Sequence, residues 1–212
     1  MDWHAWHGAY DSPQSPLVNQ LRTVQQRVAI ALDDLPPGRV RVLSVCAGQG
    51  RDLLGALEDH PRRHDVTARL VELDPRNAAR AREDASVLGL DGIEAVVGDA
   101  ALTDHYTDLA PAQLVLLCGL FGNITDEDIE RTVSYGSRLC ATGGTLIWTR
   151  NRKAPDRFPW ICGLLEDRGF TRVWLNDPAA QQGVGVHRFT GSPEPLGPGE
   201  RMFTFVGYDA LS

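Results

Sequence analysis

The chain has 212 residues, of which 42% are hydrophobic, and its formal net charge is −7. That length and composition are typical of one globular domain with its own core. The negative charge argues against nucleic-acid binding through a basic face, and the longest apolar runs are far too short to cross a membrane.

The chain begins with an aromatic segment that is unusual for a surface. Trp3, His4, Trp6, His7 and Tyr10 fall within ten residues, and so many aromatic groups are costly to leave in water. The segment is therefore expected to dock on the domain or on a ligand. Two histidines three residues apart lack the further ligands that a metal site needs. Apolar residues at helical spacing then predict a helix over 17–32, which Pro36 and Pro37 stop.

The first strand and the turn after it organise the rest of the chain. Val40 to Val45 form an apolar, β-branched run typical of a strand buried on both faces. Gly48 and Gly50 follow, and residues 52–60 have helical spacing. A strand, a glycine turn and a helix in that order point helix amides at a ligand beyond the strand's carboxyl end. Arg51 is placed to pair with a carboxylate of a ligand or of the protein, and Asp52 suits the helix N-terminus.

Two acidic residues follow the next two predicted strands. Residues 66–73 form the second strand, and Asp74 comes directly after it. A carboxylate there can accept both hydroxyls of a ribose or cap the helix predicted over 76–88, and it can do both because the cap position is where the ribose would lie. Asp99 follows the third strand at 93–97, where it either accepts a hydrogen bond from an adenine amino group or makes a turn.

A fourth buried strand is predicted over 113–118, followed by a glycine-rich loop. Asn123 in that loop is either a ligand contact or the cap of a helix over 126–139. The fifth strand covers 145–149, with Trp148 and Arg150 near its carboxyl end on the ligand side. A helix over 156–168 and strands at 173–175, 184–189 and 202–208 complete the chain, and His187 is expected in an edge strand.

Four stretches together carry a family resemblance: VLSVCAGQG, VELDPRN, VVGDA and QLVLLCGLFGN. As an ordered set they resemble the class I S-adenosylmethionine-dependent methyltransferases over roughly 37–205. The resemblance implies a Rossmann-like three-layer α/β/α sandwich with a mostly parallel sheet and an antiparallel C-terminal hairpin. The family's glycine motif usually reads acidic-x-Gly-x-Gly-x-Gly. Here Ser44 stands at the acidic position and Cys46 at the first glycine.

The resemblance also implies a cofactor site. Asp74 would bind the ribose of S-adenosylmethionine and Asp99 the adenine end, while Gly48 and the backbone near Ala47 would pack against the methionine part. The complete set of cofactor-binding residues expected on this basis is Cys46, Ala47, Gly48, Gly50, Asp74, Asp99, Ala100, Cys118 and Gly119.

The resemblance further divides the chain into an N-terminal segment, residues 1–36, and a cofactor-binding domain, residues 37–212. Segments before the first strand often close over the acceptor in this family, so residues 1–36 are expected to form a lid or cap. The alternative is an aromatic plug on the domain surface. The expected acceptor contacts are Trp3, His4, Trp6, His7, Tyr10 and Asn123.

The implied activity is methyl transfer to a small-molecule acceptor. No residue has the partner spacing of a catalytic base, although His4, His7, Tyr10 and His105 are within plausible reach. Two alternatives remain: a protein that binds the cofactor without transferring its methyl group or that cleaves it, and a nicotinamide-dependent reductase. Leu53 stands where the reductase motif has its third glycine. The cysteines show neither zinc nor disulfide spacing and the chain begins without signal-peptide features, so a cytoplasmic protein without a metal is expected.

Overall fold

The computed structural model describes residues 2, 5, 8, 10 and 15–207. A seven-stranded sheet forms its centre, with the order β3-β2-β1-β4-β5-β7-β6. Strand β7 runs antiparallel to both of its neighbours, and strands β1 to β5 pair in parallel. The strands are β1 Val40–Val45, β2 Val66–Glu72, β3 Ile93–Val97, β4 Ala112–Leu117, β5 Cys140–Asn151, β6 Phe170–Leu175 and β7 Gln182–Phe189.

Five α-helices among the described residues cover the two faces of the sheet: α1 Pro16–Asp33, α2 Arg51–Leu57, α3 Pro75–Val87, α4 Asp126–Leu139 and α5 Phe158–Asp167. Apolar side chains of α1, α2 and α3 lie in one core layer, and those of α4 and α5 lie in the other. The sheet between two helical layers confirms the predicted three-layer sandwich. None of the helices in the described ranges combines the length and the apolar character of a membrane span.

Helix α1 is part of the core of this domain. Its residues Val24, Val28 and Leu32 are almost fully buried and lie in the same layer as the β1 side chains Val40 and Val42. The connection to β1 is held by the guanidinium of Arg62. This group donates hydrogen bonds of 2.7 to 2.9 Å to the carbonyl oxygens of Leu32, Leu35, Pro36 and Gly38. The later turns of α1 therefore belong to the core of the domain.

The strand order reverses direction between β1 and β4. From β1 the chain builds outward through β2 to β3, and from β4 it builds the other way through β5. In open parallel sheets, ligands bind at the carboxyl ends of the strands on either side of such a reversal. The glycine turn after β1 and the loop after β4 both lie at this point.

The end of the chain differs from the prediction in two ways. Residues 202–207 form no strand, and an isolated bridge from Leu102 to Arg201 precedes them. Met202 and Phe203 are nevertheless buried, so this apolar segment packs into the core without joining the sheet. The antiparallel hairpin consists of β6 and β7. Because β7 lies between β5 and β6, His187 is fully buried and not in an edge strand.

Candidate functional site

A cavity of about 500 Å³ opens at the carboxyl ends of β1 to β5. This volume lies within the range of small-molecule and cofactor sites, roughly 300 to 1,000 Å³. Most of the residues that the sequence assigned to a ligand site line it. These residues are Tyr10, Cys46, Ala47, Gly48, Asp99, Ala100, Cys118, Gly119 and Asn123.

The turn after β1 brings its backbone to the cavity through three residues with positive φ. Cys46, Gly48 and Gly50 have φ values of 55°, 55° and 70°. Cys46 thus adopts the left-handed conformation at the position where the resembling family commonly has its first glycine. Gly50 does not line the cavity. A Cβ atom there would lie 2.6 Å from the Leu70 side chain, so this glycine allows the turn to pack closely on β2.

The acidic side chain that reaches the cavity from β2 is Glu72, which the sequence reasoning missed. Its Oε2 atom accepts a hydrogen bond from the backbone N–H of Gly48 at 2.8 Å, and its Oε1 atom accepts one from Asp74 N–H at 2.9 Å. Each carboxylate oxygen retains a further lone pair for a ligand. The sequence did contain a signal for it. Glu72 is the acidic residue inside the strand, two positions before Asp74, which was chosen for the ribose.

Asp74 is not among the residues that line the cavity. It is the N-cap of α3, and its Oδ1 atom accepts a hydrogen bond from Arg76 N–H at 2.9 Å. The Arg76 guanidinium also binds the Asp74 carboxylate at 2.6 Å and that of Asp2 at 2.7 Å. Asp74 therefore caps α3 as the sequence also predicted, and the ion pair with Arg76 places Asp2 beside this helix.

Asp99 lines the cavity after β3. Its Oδ1 atom accepts a hydrogen bond from Ala101 N–H at 3.0 Å, and its Oδ2 atom lies 2.9 Å from Arg201 Nη2. The carboxylate is thus fixed by a backbone amide and by a cation from the C-terminal segment. The apolar side chains of Ala100 and Leu73 line the cavity beside it.

The loop after β4 approaches the same cavity. The N–H of Gly119 donates to Thr149 Oγ1 at 2.8 Å, and the side-chain amide of Asn123 donates to Gly119 O at 2.7 Å. Thr125 caps α4, since its Oγ1 atom accepts from Asp128 N–H at 3.2 Å. Asn123 is therefore a wall residue and not the cap.

The half-buried carboxylate of Asp52 lines the cavity from the first turn of α2. Burial raises the pKa of Asp52 to about 6, although a hydrogen bond from the Cys118 thiol opposes this. Burial and the nearby Asp52 carboxylate raise the pKa of Tyr10 and of Cys118 well above their usual values. Tyr10 and Cys118 therefore keep their protons near neutral pH, and the cavity contains a carboxylate between two protonated neighbours.

Cations line the cavity at two places. Arg51 donates from Nε to Gln49 Oε1 at 2.9 Å, and its guanidinium carbon lies 5.8 Å from the centre of the Tyr10 ring. Arg150 and Lys153 line the β5 side. Arg150 thus lies on the ligand side as expected, whereas its neighbour Trp148 is fully buried in the core.

The remaining predicted residues fall elsewhere. Trp3, His4, Trp6 and His7 lie outside the described residues. His105 does not line the cavity: its ring packs on Gly98, where a Cβ atom would lie 2.6 Å from it. The first turns of α1 supply a wall that local sequence patterns did not indicate, and its members are Leu17, Gln20, Leu21 and Val24.

Comparison with known proteins identifies the class. Residues 19–175 match the family Methyltransf_20, which is described as "Putative methyltransferase". The matched range covers most of the chain, and the chain belongs to this methyltransferase family. A curated relative, the uncharacterized protein YnbC of Escherichia coli K12, is 27% identical over 139 residues. The match covers 64% of this chain and 23% of YnbC, so the chain spans less than a quarter of that protein.

Solved structures show the same fold. An O-methyltransferase family protein from Burkholderia thailandensis is 19% identical, with a TM-score of 0.60, over 82% of this chain and 58% of that one. The magnesium protoporphyrin IX methyltransferase ChlM from Synechocystis PCC 6803, solved with bound S-adenosylmethionine, is 15% identical, with a TM-score of 0.64. That match covers 87% of this chain and 89% of ChlM. The family match identifies a methyltransferase, and the solved structures show that it shares the fold with which ChlM binds S-adenosylmethionine.

The cavity suits such a cofactor. Going across the sheet from β3 to β4, the strand ends present Asp99, Glu72, the Gly48 turn and Gly119 to one space. Adjacent strands are about 4.8 Å apart, so these groups extend over roughly 14 Å, which is the scale of an adenosyl ligand. A Cβ atom on Gly119 would meet nothing within 4 Å, so the backbone there is open to a ligand.

Proposed function

We propose that the chain is an S-adenosylmethionine-dependent methyltransferase that acts on a small-molecule acceptor. One observation carries the proposal. Glu72 and Asp99, at the ends of adjacent strands, open onto the cavity that the glycine turn also lines. A ribose offers two hydroxyl donors and an adenine one amino donor, and two fixed carboxylates in a row match that order.

The residues divide into a cofactor side and an acceptor side. In this proposal Glu72 binds the ribose hydroxyls, Asp99 binds the adenine end, and Gly48 and Ala47 lie against the methionine part. Arg51 at the start of α2 is placed for the methionine carboxylate. The acceptor then lies beyond the Gly48 turn, above β4 and β5, where Asn123, Tyr10 and the first turns of α1 line the cavity.

The cofactor supplies an already activated methyl group, and the chain mainly holds the acceptor in line with it. The protonated Tyr10 hydroxyl is a hydrogen-bond donor to the acceptor or to Asp52. The Asp52 carboxylate is the one cavity group among the described residues whose raised pKa, about 6, suits the uptake of a proton near neutral pH. Direct transfer without a base needs only the positioning.

Isothermal titration with S-adenosylmethionine and S-adenosylhomocysteine tests the proposal. We expect both to bind and to raise the melting temperature, and NADH and NADPH to do neither. Binding of the dinucleotides alone would support the reductase alternative. Chromatography of S-adenosylmethionine after incubation, with and without a panel of small acceptors, separates methyl transfer from cofactor cleavage. If neither adenosyl ligand binds, the proposal is wrong.

A further inference from the structure

The charged residues at the two ends of the cavity differ in sign, and Arg51 and Asp52 lie between these ends at the start of α2. Glu72 and Asp99 lie on the β2–β3 side, whereas Arg150 and Lys153 lie on the β5 side. The first two belong to the cofactor end of the proposed function. The cationic side is therefore next to the acceptor, since β5 lies beyond β4 from the glycine turn.

Arg150 is a half-buried cation without a carboxylate partner among the described residues. One guanidinium N–H donates to the carbonyl oxygen of Phe121, and its side chain makes no ion pair with any carboxylate in the described part of the chain. Two neighbouring arginines do make such pairs: Arg152 lies 3.3 Å from Asp156, and Arg157 lies 2.8 Å from Asp126. A half-buried cation without an anion is costly, and a ligand anion would offset that cost.

Arg150 lines the cavity, and its unused donors are accessible. Its guanidinium nitrogens are not among the buried polar atoms that lack a hydrogen-bond partner in the described ranges. Burial lowers the pKa of Arg150, and the nearby Arg157 adds to this, while Asp126 and Asp156 oppose it from a distance. An arginine remains charged in spite of such a shift, and its planar fork matches a carboxylate or a phosphate.

We propose that the methyl acceptor carries an anionic group, a carboxylate or a phosphate, and that Arg150 binds this group. The inference rests on the proposed methyltransferase function and specifies its substrate class. Lys153 and the side-chain amides of Asn151 and Gln182 line the same side and provide further polar contacts. Phe205 and Tyr10 line the cavity as well, so an acceptor with an aromatic or apolar body beside its anionic group suits the space.

The methionine carboxylate of the cofactor is the competing occupant. Strand β5 lies two strands from β1, or roughly 10 Å from the glycine turn against which the methionine part is placed. Arg51 is at that turn. The two possibilities differ in a measurable way, because S-adenosylhomocysteine already contains the methionine carboxylate.

The test uses the full chain saturated with S-adenosylhomocysteine. Benzoate, phenyl phosphate and the neutral benzamide are titrated separately by ligand-observed NMR. We expect benzoate, phenyl phosphate or both to bind about tenfold or more tightly than benzamide, as a charge-assisted contact implies. Preference between the two anions identifies the chemical class of the acceptor. If neither anion binds more tightly than benzamide, the inference is wrong, and this comparison requires no variant.

Variants assign the anion to Arg150. Arg150→Gln should weaken binding of the preferred anion about tenfold or more. Arg150→Lys should weaken this binding less, because lysine retains the charge. Arg157→Gln is the matched control: it removes one positive charge nearby but outside the cavity lining, and it should leave anion binding unchanged. Equal anion binding by Arg150→Gln and the unmodified chain would overturn the assignment.

Binding of S-adenosylhomocysteine itself provides the last discrimination. If Arg150→Gln keeps its melting temperature but loses S-adenosylhomocysteine, Arg150 binds the cofactor and the inference is overturned while the proposed function stands. If the unmodified chain does not bind S-adenosylhomocysteine, the proposed function is wrong, and the inference with it. Unchanged S-adenosylhomocysteine affinity with lost anion affinity supports the inference.

Discussion

The backbone N–H of Gly48 donates a hydrogen bond to the carboxylate of Glu72, with 2.8 Å between Gly48 N and Glu72 Oε2. The other oxygen of Glu72 accepts from Asp74 N–H, so the carboxylate is held between the turn after β1 and the start of α3. Its orientation therefore does not depend on a ligand. A group held in place before binding loses little conformational entropy when a ligand arrives.

Glu72→Gln is expected to weaken S-adenosylhomocysteine binding. The substitution keeps the size of the side chain but replaces a charged acceptor, and hydrogen bonds to charged groups contribute about 1.5 to 3 kcal/mol, or roughly 10- to 100-fold in Kd. Asp74→Asn is the matched control, because asparagine also caps helices well and Asp74 does not line the cavity. Calorimetric titration of both variants makes the comparison. A larger loss for Asp74→Asn would restore the assignment made from the sequence.

At position 46, glycine is expected to give a protein at least as stable as alanine does, which reverses the usual order. At ordinary positions glycine is less stable than alanine by about 0.5 to 1 kcal/mol. The φ of 55° at Cys46 is unfavourable for any residue with a Cβ atom, by roughly 1 to 2 kcal/mol. Cys46→Gly should therefore be at least as stable as Cys46→Ala in urea unfolding. At the neighbouring Ala47, substitution by glycine should show the ordinary loss. A Cys46→Gly variant clearly less stable than Cys46→Ala would contradict this reading of the turn.

The sequence was most informative where local pattern and burial coincide. The run from Val40 to Val45 is apolar because helices cover both faces of β1, and the small residues after it adopt the positive φ values that the turn needs. Asp99 was predicted as a cavity residue because only Gly98 separates it from the end of a short strand, and it does line the cavity. Both features depend on residues adjacent in the chain.

The sequence was least informative where a result depends on the exact end of an element or on distant contacts. Glu72 was overlooked because β2 ends there, whereas the apolar Leu73 extended the predicted strand to Asp74. The wall formed by Leu17 and Leu21 depends on how α1 crosses the sheet, which its own apolar spacing does not specify. Residues 202–207 alternate like a strand, but backbone N–H groups of this segment donate to the carbonyl oxygens of Ala101 and Asn123, which lie in loops outside the sheet.

Asp52→Asn is expected to stabilise the chain in a pH-dependent way. Burial raises the pKa of Asp52 from 3.8 to about 6, so the folded state resists ionisation of this group. Stability is therefore lost as the pH rises through this range, and above pH 6 the charged carboxylate costs up to about 3 kcal/mol. Its favourable position at the N-terminus of α2 offsets up to about 1 kcal/mol.

Melting temperatures at pH 8 and pH 4 provide the measurement. Asp52→Asn should exceed the unmodified chain at pH 8 by a difference that corresponds to about 2 kcal/mol, and the two should nearly coincide at pH 4. Asp59→Asn, an exposed position just beyond α2, should show no such change. If Asp52→Asn is less stable than the unmodified chain at pH 8, other interactions of the folded chain offset the cost of burying the Asp52 charge.

Because of His187, the folded chain is expected to lose stability in mild acid. Its Nδ1 atom accepts a hydrogen bond from Trp148 Nε1–H at 3.1 Å, which places the proton of the neutral ring on Nε2. Burial lowers the pKa of His187 from 6.5 to about 4, and the nearby Arg172 adds to this. The folded state thus binds this proton less readily than the unfolded state. Stability is complete above pH 6.5 and falls as the pH drops towards 4, by up to about 3 kcal/mol.

His187→Asn isolates this contribution, because its amide oxygen can accept the Trp148 hydrogen bond but the side chain does not titrate. The variant will be less stable than the unmodified chain at pH 7.5, since a buried ring is lost and a cavity remains. The decisive quantity is the slope of the free energy of unfolding between pH 6.5 and 4.5, measured by urea titration. That slope should be shallower for His187→Asn than for the unmodified chain, by up to about 1.4 kcal/mol per pH unit. His64→Asn, at an exposed position, should retain the original slope. Equal slopes for His187→Asn and the unmodified chain would show that His187 takes up a proton as readily in the folded state as in the unfolded state.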